Sequence, residues 1–317
     1  MNNPVMMNDP SGADPEGGCE SPYYQVEQKP VVAGKADEKK GEVKKEGEKK
    51  QEEKKEEEVK KNAYYNKDGT FLGFDDNSKD DKVFVADSKN EQGGFENSVE
   101  LSGTHTDFKY IAGVIRSEDS SSFEGAAATT QATFNAVKLV KGDNTALSDQ
   151  SKYAAQLLAT GYSSVPNKKA LSESKIGQSD LNARKGLIHV LQSGEDYSKG
   201  AVAWDGFDLA IKGSTHPKAK DGGFSVSESL WNDFTAKYDW TINKGAGIKY
   251  NGTYYPSAAS LTFTNSVFEI EGSGKYTKGN VLYKATAVYG QHLFWAPNKD
   301  EVRNIGYNMK GLNSFLK

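Results

Sequence analysis

The stretch Phe108–Leu139, FKYIAGVIRSEDSSSFEGAAATTQATFNAVKL, decides how the rest of the chain is read. Phe108, Ile111, Ala112, Val114 and Ile115 recur at helical spacing behind the capping candidates Thr106 and Asp107. This predicts a short amphipathic helix to about Ser117, ending on the carboxylate of Glu118. The polar run Asp119–Ser122 breaks the pattern, and an Ala/Thr-rich run from Glu124 to Leu139 restarts it as a second helix whose small residues suit close packing. A glutamate at the end of a buried helix, facing another, sits where burial can raise a carboxyl pKa. On residues alone Glu118 has a second reading as a solvated helix-end residue, because glutamate is commonly exposed.

Composition narrows the classes. The chain has 317 residues, of which 36% are hydrophobic, low for a wholly globular chain, so part of it is expected not to fold. No apolar run is long enough to span a bilayer, and the first residues lack the basic-then-apolar pattern of a signal peptide. Cys19 is the only cysteine, which excludes an intramolecular disulfide and argues against thiol peptidase chemistry. His105, His189, His216 and His292 are scattered, with no metal-ligand pair such as HExxH, so no metal or other cofactor is expected. The net charge is -4, and no Lys/Arg cluster with interleaved aromatics follows residue 62, which argues against a nucleic-acid partner.

Working outward, Asp68-Gly69 between Tyr64-Tyr65 and Phe71-Leu72 signals a β-hairpin, with a further apolar run at Val83–Val85. Asn90–Gly103 reads as a loop. Beyond the quoted stretch, helices are expected at Ser148–Thr160, with Gly161 as stop, and at Asp180–Gln192, with Asp180 as cap and Gly194 as terminator. A further helix is expected around Val226–Lys237, followed by short strands at Trp240–Ile242, Gly247–Tyr255, Leu261–Ile270 and Val281–Val288. Lys35–Lys61 is nearly all Lys and Glu, with i,i+4 pairs but no apolar face, and reads as a solvated spacer.

Three segments carry a resemblance. Glu118, Phe123-Glu124-Gly125 and Phe134-Asn135 form the first; Gly194, Asp196, Gly200, Ala201 and Trp204 the second; Gly290-Gln291-His292-Leu293-Phe294-Trp295 the third. Together, in this order, they resemble the cell-wall hydrolase family typified by spore-cortex-lytic enzymes. In the second segment Tyr197 stands where proline is usual, and Trp204-Asp205-Gly206 replaces an aromatic followed by Asn-Pro. The resemblance implies a lysozyme-like fold, Glu118 as catalytic acid, and Phe123, Glu124, Asn135, Asp196, Tyr197, Trp204 and His292 as substrate-binding residues. Trp204 is equally readable as core, and His292 as a structural histidine. Separately, Asn2, Asn3, Pro4, Asp9, Pro10, Ser11 and Gly12 resemble the last segment of an RHS-repeat core, beyond which such proteins carry a variable C-terminal domain, often a toxin. An ordinary unfolded N-terminus reads the same way.

The expected class is therefore α+β: a mainly helical, lysozyme-like core with a β-rich insertion and a small N-terminal β-hairpin element. The expected organisation is an RHS-like end at 1–34, a linker at 35–61, a β element and loop at 62–103, and a peptidoglycan-cleaving domain at 104–317 with an insertion at about 213–283. The resemblance implies cleavage of the β-1,4 bond between N-acetylmuramic acid and N-acetylglucosamine. In a lytic transglycosylase one glutamate protonates the departing oxygen and then takes the C6 hydroxyl proton, closing a 1,6-anhydro ring. Such a glutamate needs a pKa raised from about 4.3 toward about 6 or 7. The alternatives are a hydrolytic muramidase using Asp119, Glu124 or Asp196 as second carboxylate, a non-catalytic glycan-binding module, or a toxin of unrelated chemistry such as a nuclease. Expected partners are peptidoglycan strands, an immunity protein and an upstream RHS core or secretion machinery, with the protein secreted or delivered to a target-cell periplasm. The composition break at residue 62 predicts that limited proteolysis removes the first sixty or so residues and leaves a resistant core; equal protection of Lys35–Lys61 contradicts that boundary.

Overall fold

In the computed structural model of the chain, which describes residues 60–161, 170–206, 209, 223–237, 241–243, 247–250, 253–255, 268–269 and 281–297, the hairpin expected at Asp68-Gly69 is present. β1 (Asn62–Tyr65) pairs antiparallel with β2 (Phe71–Asp75), with Tyr65 opposite Phe71. Gly69, at φ +90, lies so close to the helix Gln178–Leu191 that a Cβ there would meet the Leu181 carbonyl at 2.7 Å. β3 (Lys82–Val85) runs parallel to β1, and β6 (Val99–Thr104) antiparallel to β3, giving the sheet order β2-β1-β3-β6. Between them β4 (Ser88–Lys89) and β5 (Phe95–Glu96) make a small ribbon whose Phe95 ring stacks on Tyr64 at 3.7 Å.

The loop expected over Asn90–Gly103 is thus corrected: it contains β5 and β6. Leu101 pairs with Val83 and is buried, while the turn chemistry is confined to Asn90–Gly94 and to Asn97, at φ 51. Leu101 is the one buried residue of β6, and a single such residue suffices for a strand when a neighbour supplies the ladder.

Four helices follow, of which the first, third and fourth pack on this sheet through β3 and β6, and the second packs on the other helices. α1 (His105–Glu118) is capped by Thr104, whose hydroxyl accepts the Asp107 N–H, two residues before the expected cap. α2 (Phe123–Lys141) is capped by Ser122 and stops at Gly142, at φ +98. α3 is Leu147–Gly161 and α4 is Gln178–Leu191. Asp180, expected as the α4 cap, lies inside the helix, from where its carboxylate accepts the Gly177 N–H at 3.0 Å. Phe108, Ile111, Ile115, Phe134, Val137, Leu157, Leu158, Leu187 and Ile188 form the core between helices and sheet, together with Tyr65, Val83, Val85 and Leu101.

The N-terminal end of α1 is tied to the sheet by polar contacts. The Tyr65 hydroxyl and His105 Nε2 are 2.9 Å apart, and Glu173 reaches both His105, at 3.5 Å, and Lys109, at 3.2 Å. Buried Arg184 donates to the carbonyls of Ser172 and Lys175 at 2.6 and 2.7 Å. Burial holds the Tyr65 hydroxyl well above its ordinary pKa, with the Glu173 charge adding to the rise and Arg184 opposing it, so the phenol stays neutral.

A second sheet contains β7 (Ala203–Asp205), β8 (Gly223–Ser225), β12 (Phe268–Glu269), β13 (Val281–Tyr289) and β14 (His292–Pro297), in the order β12-β8-β13-β14-β7. β9 (Thr241–Asn243), β10 (Gly247–Tyr250) and β11 (Thr253–Tyr255) form a separate antiparallel sheet. α5 (Glu228–Thr235), capped by Ser227, packs on β13 and β14 and buries Trp231 and Phe234. The expected insertion boundary at 283 falls inside β13, and β8 and β12, from within the expected insertion, belong to the same sheet as β14. The class is mixed α+β. No helix among the described residues is long and apolar enough to cross a membrane. The RHS-like beginning, the Lys/Glu tract before residue 60, most of Leu261–Ile270 and the tail beyond Pro297 lie outside the described residues.

α2 and α4 share the most extensive helix interface, and Gly186 sets its distance. A Cβ at Gly186 would meet the Ala127 nitrogen at 2.7 Å and the Ala126 carbonyl carbon at 2.8 Å, both backbone atoms that cannot swing away. Helix propensity alone favours alanine over glycine by about 1 kcal/mol, but forced separation of two packed helices costs about 1–3 kcal/mol. Gly186→Ala is therefore expected to lower stability in urea denaturation, and an unchanged or raised midpoint contradicts this packing.

Candidate functional site

The site is built where α1 ends. Glu118 is the last residue of α1 and is 7% exposed. The chain leaves the helix at Asp119, which is extended at φ -151 and whose N–H still donates to the Ile115 carbonyl. α4 then fixes the turn. Asn182 Nδ2 donates to the Ser120 carbonyl at 2.9 Å, Arg116 Nε donates to Asp180 Oδ1 at 3.0 Å, and Ser120 Oγ donates to the Arg116 carbonyl at 2.8 Å. Glu118 is thus held from both sides of its own position.

Asp119, the residue after Glu118, meets His292, distant in sequence. Asp119 Oδ2 is 3.2 Å from His292 Nδ1, with the two side chains 3% and 5% exposed, and Asp119 Oδ1 accepts the Ser121 hydroxyl at 3.1 Å. The slot holding this carboxylate is walled by two glycines. A Cβ at Gly125 in the first turn of α2 would lie 2.6 Å from Asp119 Oδ2, and one at Gly290 in the β13–β14 turn, at φ +53, would lie 2.5 Å from it. Only glycine at both positions lets helix, turn and carboxylate occupy the same space.

The loop of the second resembling segment is shaped from within. Asp196 Oδ1 accepts the Ser198 N–H and hydroxyl at 2.9 and 2.6 Å, and its Oδ2 accepts the Gly200 N–H at 2.8 Å. Asn135 Nδ2, from α2, faces Asp196 Oδ2, Ser198 Oγ and the Ala201 carbonyl at 3.2, 3.2 and 3.0 Å. The Thr286 hydroxyl donates to the Ser198 carbonyl at 2.7 Å and ties the loop to β13. The Asn135 Nδ2 and the Asp196 carboxylate are therefore spent on holding the loop, while Asn135 Oδ1 accepts from Gln131 within α2. Phe123 and Tyr197 come together edge to face, 5.6 Å apart and both partly exposed, while Glu124 is exposed in the first turn of α2, where its charge favours the helix dipole.

Trp204 agrees with its reading as core: it lies in β7, 1% exposed and 6.3 Å from Phe294. Two residues enter the site region that sequence reasoning passed over, His189 and Tyr289, each within 6.1 Å of the Tyr197 ring. The signal for Tyr289 was its place three residues before His292 across a Gly turn; His189 carries none. Among the described residues no group of three or more His, Cys, Asp or Glu could hold a metal ion. Comparison of the chain with protein-family models, curated proteins and solved structures finds no match.

The glycine slot can be tested by coupling. Gly125→Ala is expected to cost about 1–3 kcal/mol in the parent, since the new methyl displaces Asp119 from His292, and markedly less in an Asp119→Ala background where the collision is gone. Urea denaturation of the four proteins measures the interaction; additivity within about 0.5 kcal/mol contradicts the slot.

Proposed function

We propose that the chain is a peptidoglycan-degrading enzyme that cleaves the bond between N-acetylmuramic acid and N-acetylglucosamine as a lytic transglycosylase, with Glu118 as its single acid and base. The observation that carries this reading is the enclosure of Glu118 at the end of α1, on a turn fixed by Asn182 and closed by the Asp119–His292 pair. Burial disfavours the charged form of a carboxyl group, which is the state a general acid must avoid before it acts.

The steps balance without water. The Glu118 carboxyl gives its proton to the glycosidic oxygen, the bond from that oxygen to the muramyl C1 breaks, and an oxocarbenium-like centre develops. The resulting carboxylate takes the proton of the C6 hydroxyl as O6 bonds to C1, which restores the acid and leaves a 1,6-anhydro end.

A hydrolytic muramidase needs a second carboxylate to direct water or attack C1. Of the three candidates, Asp119 has one oxygen on Ser121 and the other on His292, and Asp196 has both on its own loop and Asn135. Glu124 is exposed on the first turn of α2. This supports the one-carboxylate route. A lysozyme-like core agrees with the order of the three resembling segments, and the Asn2–Gly12 motif supports a toxin domain of an RHS protein, acting in a target-cell periplasm and countered by an immunity protein.

Glu118→Gln keeps the volume of the side chain but cannot deliver a proton. Release of muropeptides from purified peptidoglycan is expected to fall by about 10² to 10⁴-fold with the melting temperature nearly unchanged. A folded Glu118→Gln protein that works at the parent rate returns Glu118 to a structural role.

A further inference from the structure

Beside the Asp119–His292 pair, four rings from four segments converge: Phe123 opening α2, His189 in the last turn of α4, Tyr197 in the loop and Tyr289 ending β13. Phe123 lies 5.4 Å from His189 and 5.6 Å from Tyr197, His189 lies 5.4 Å from Tyr197, and Tyr197 lies 6.1 Å from Tyr289. All four are partly exposed, and Tyr289 adjoins Gly290, the residue that walls the Asp119 slot. The cluster is therefore continuous with the site and open on one side.

Its members are held in place. His189 Nε2 is 2.9 Å from the Glu195 carbonyl, and Gly194 rests so closely on the imidazole that a side chain there would collide with it. Lys185 Nζ sits over Phe123 at 4.4 Å, and Tyr289 is backed by Phe294 at 6.1 Å. On the Tyr289 side the cluster is acidic, since the charges of Glu195, Glu124 and Asp196 all act on the Tyr289 hydroxyl, while Lys185 lies on the Phe123 side. Burial first, and then the neighbouring Tyr197 and the carboxylates of Glu195, Glu124 and Asp196, push the Tyr289 hydroxyl above its ordinary pKa, so it keeps its proton and remains a donor.

Partly exposed rings held edge to face, with the hydroxyls of Tyr197 and Tyr289 and the exposed carboxylates of Glu124 and Glu195 at their edge, suit a pyranose ring, which is apolar on one face and polar around its rim. The acidic side opposes a nucleic acid, whose bases would stack but whose phosphates would be repelled. It also disfavours a muramyl ring with its lactyl carboxyl group. We propose that Tyr197 and Tyr289, backed by Phe123 and His189, form a stacking subsite for an N-acetylglucosamine ring, which rests on the reading of Glu118 as a glycan-cleaving acid.

The test uses the full chain carrying Glu118→Gln and the soluble probe chitotetraose, with binding followed by calorimetry. Added Tyr289→Ala or Tyr197→Ala is expected to weaken binding by about tenfold or more, while Tyr289→Phe stays within about threefold of the parent. If an alanine variant fails to fold, Tyr289→Leu and Tyr197→Leu replace it, since they keep apolar volume without the flat face and are expected to show the same loss. Absence of chitotetraose binding, or binding equal in all variants, overturns the subsite. Peptidoglycan turnover by the parent chain is read in parallel: turnover without chitotetraose binding defeats the subsite alone. Ring-dependent binding without turnover keeps the subsite and defeats the catalytic reading.

Discussion

The Asp119 carboxylate is the contact on which the two halves of the described fold depend. It sits at the end of α1, touches the first turn of α2 at Gly125 and the β13–β14 turn at Gly290, and bonds His292 at the start of β14. A buried carboxylate is tolerated only when its lone pairs are taken, and here Ser121 and His292 take them. Removing one partner would leave the other polar group enclosed without its hydrogen bond, a larger penalty than the bond itself contributes. Helical layer and second sheet are thus joined by a contact that is both sterically exclusive and polar. Glu118 is its neighbour in the chain.

The same economy of space runs through the helices. Gly186 brings α4 onto the Ala126-Ala127 backbone, and from that distance Asn182 and Asp180 on α4 reach Ser120 and Arg116 around the end of α1. Small residues in the interface therefore do more than fill it. They set the reach of the polar side chains that position the turn after Glu118. On the other side of α2, Asn135 performs the matching task for the Asp196–Ala201 loop.

Helices were legible in the sequence because their signal is local: Phe108, Ile111 and Ile115, and Leu187, Ile188 and Leu191, repeat within one element. Their edges moved by a residue or two, as with Thr104 in place of Thr106, because several hydroxyl and acidic residues compete for a cap. β6 was hidden among Gly and Asn residues that belong to its flanking turns. Of the five-stranded sheet, the runs Leu261–Ile270 and Val281–Val288 were legible as strands, but not the strand order, since β8 and β12 are three and two residues long and are defined only by distant partners. His292 was singled out by resemblance, but nothing in a linear reading joins it to Asp119. Asp119 itself was weighed as a water-directing carboxylate, a role that its two hydrogen bonds now compete with. Trp204 shows the opposite limit, for an indole reads alike in sequence whether it is core or platform, and only burial separates the two.

The central claim is that one enclosed carboxylate, Glu118, does all the proton work, and the origin of the new bond at C1 tests it most directly. Purified peptidoglycan is digested by the full chain in water enriched in oxygen-18, and the released muropeptides are weighed by mass spectrometry. The account predicts 1,6-anhydro ends that carry no oxygen-18, because O6 of the same sugar closes the ring. Reducing ends that carry oxygen-18 would contradict it, since they require a water molecule and a second group to direct it.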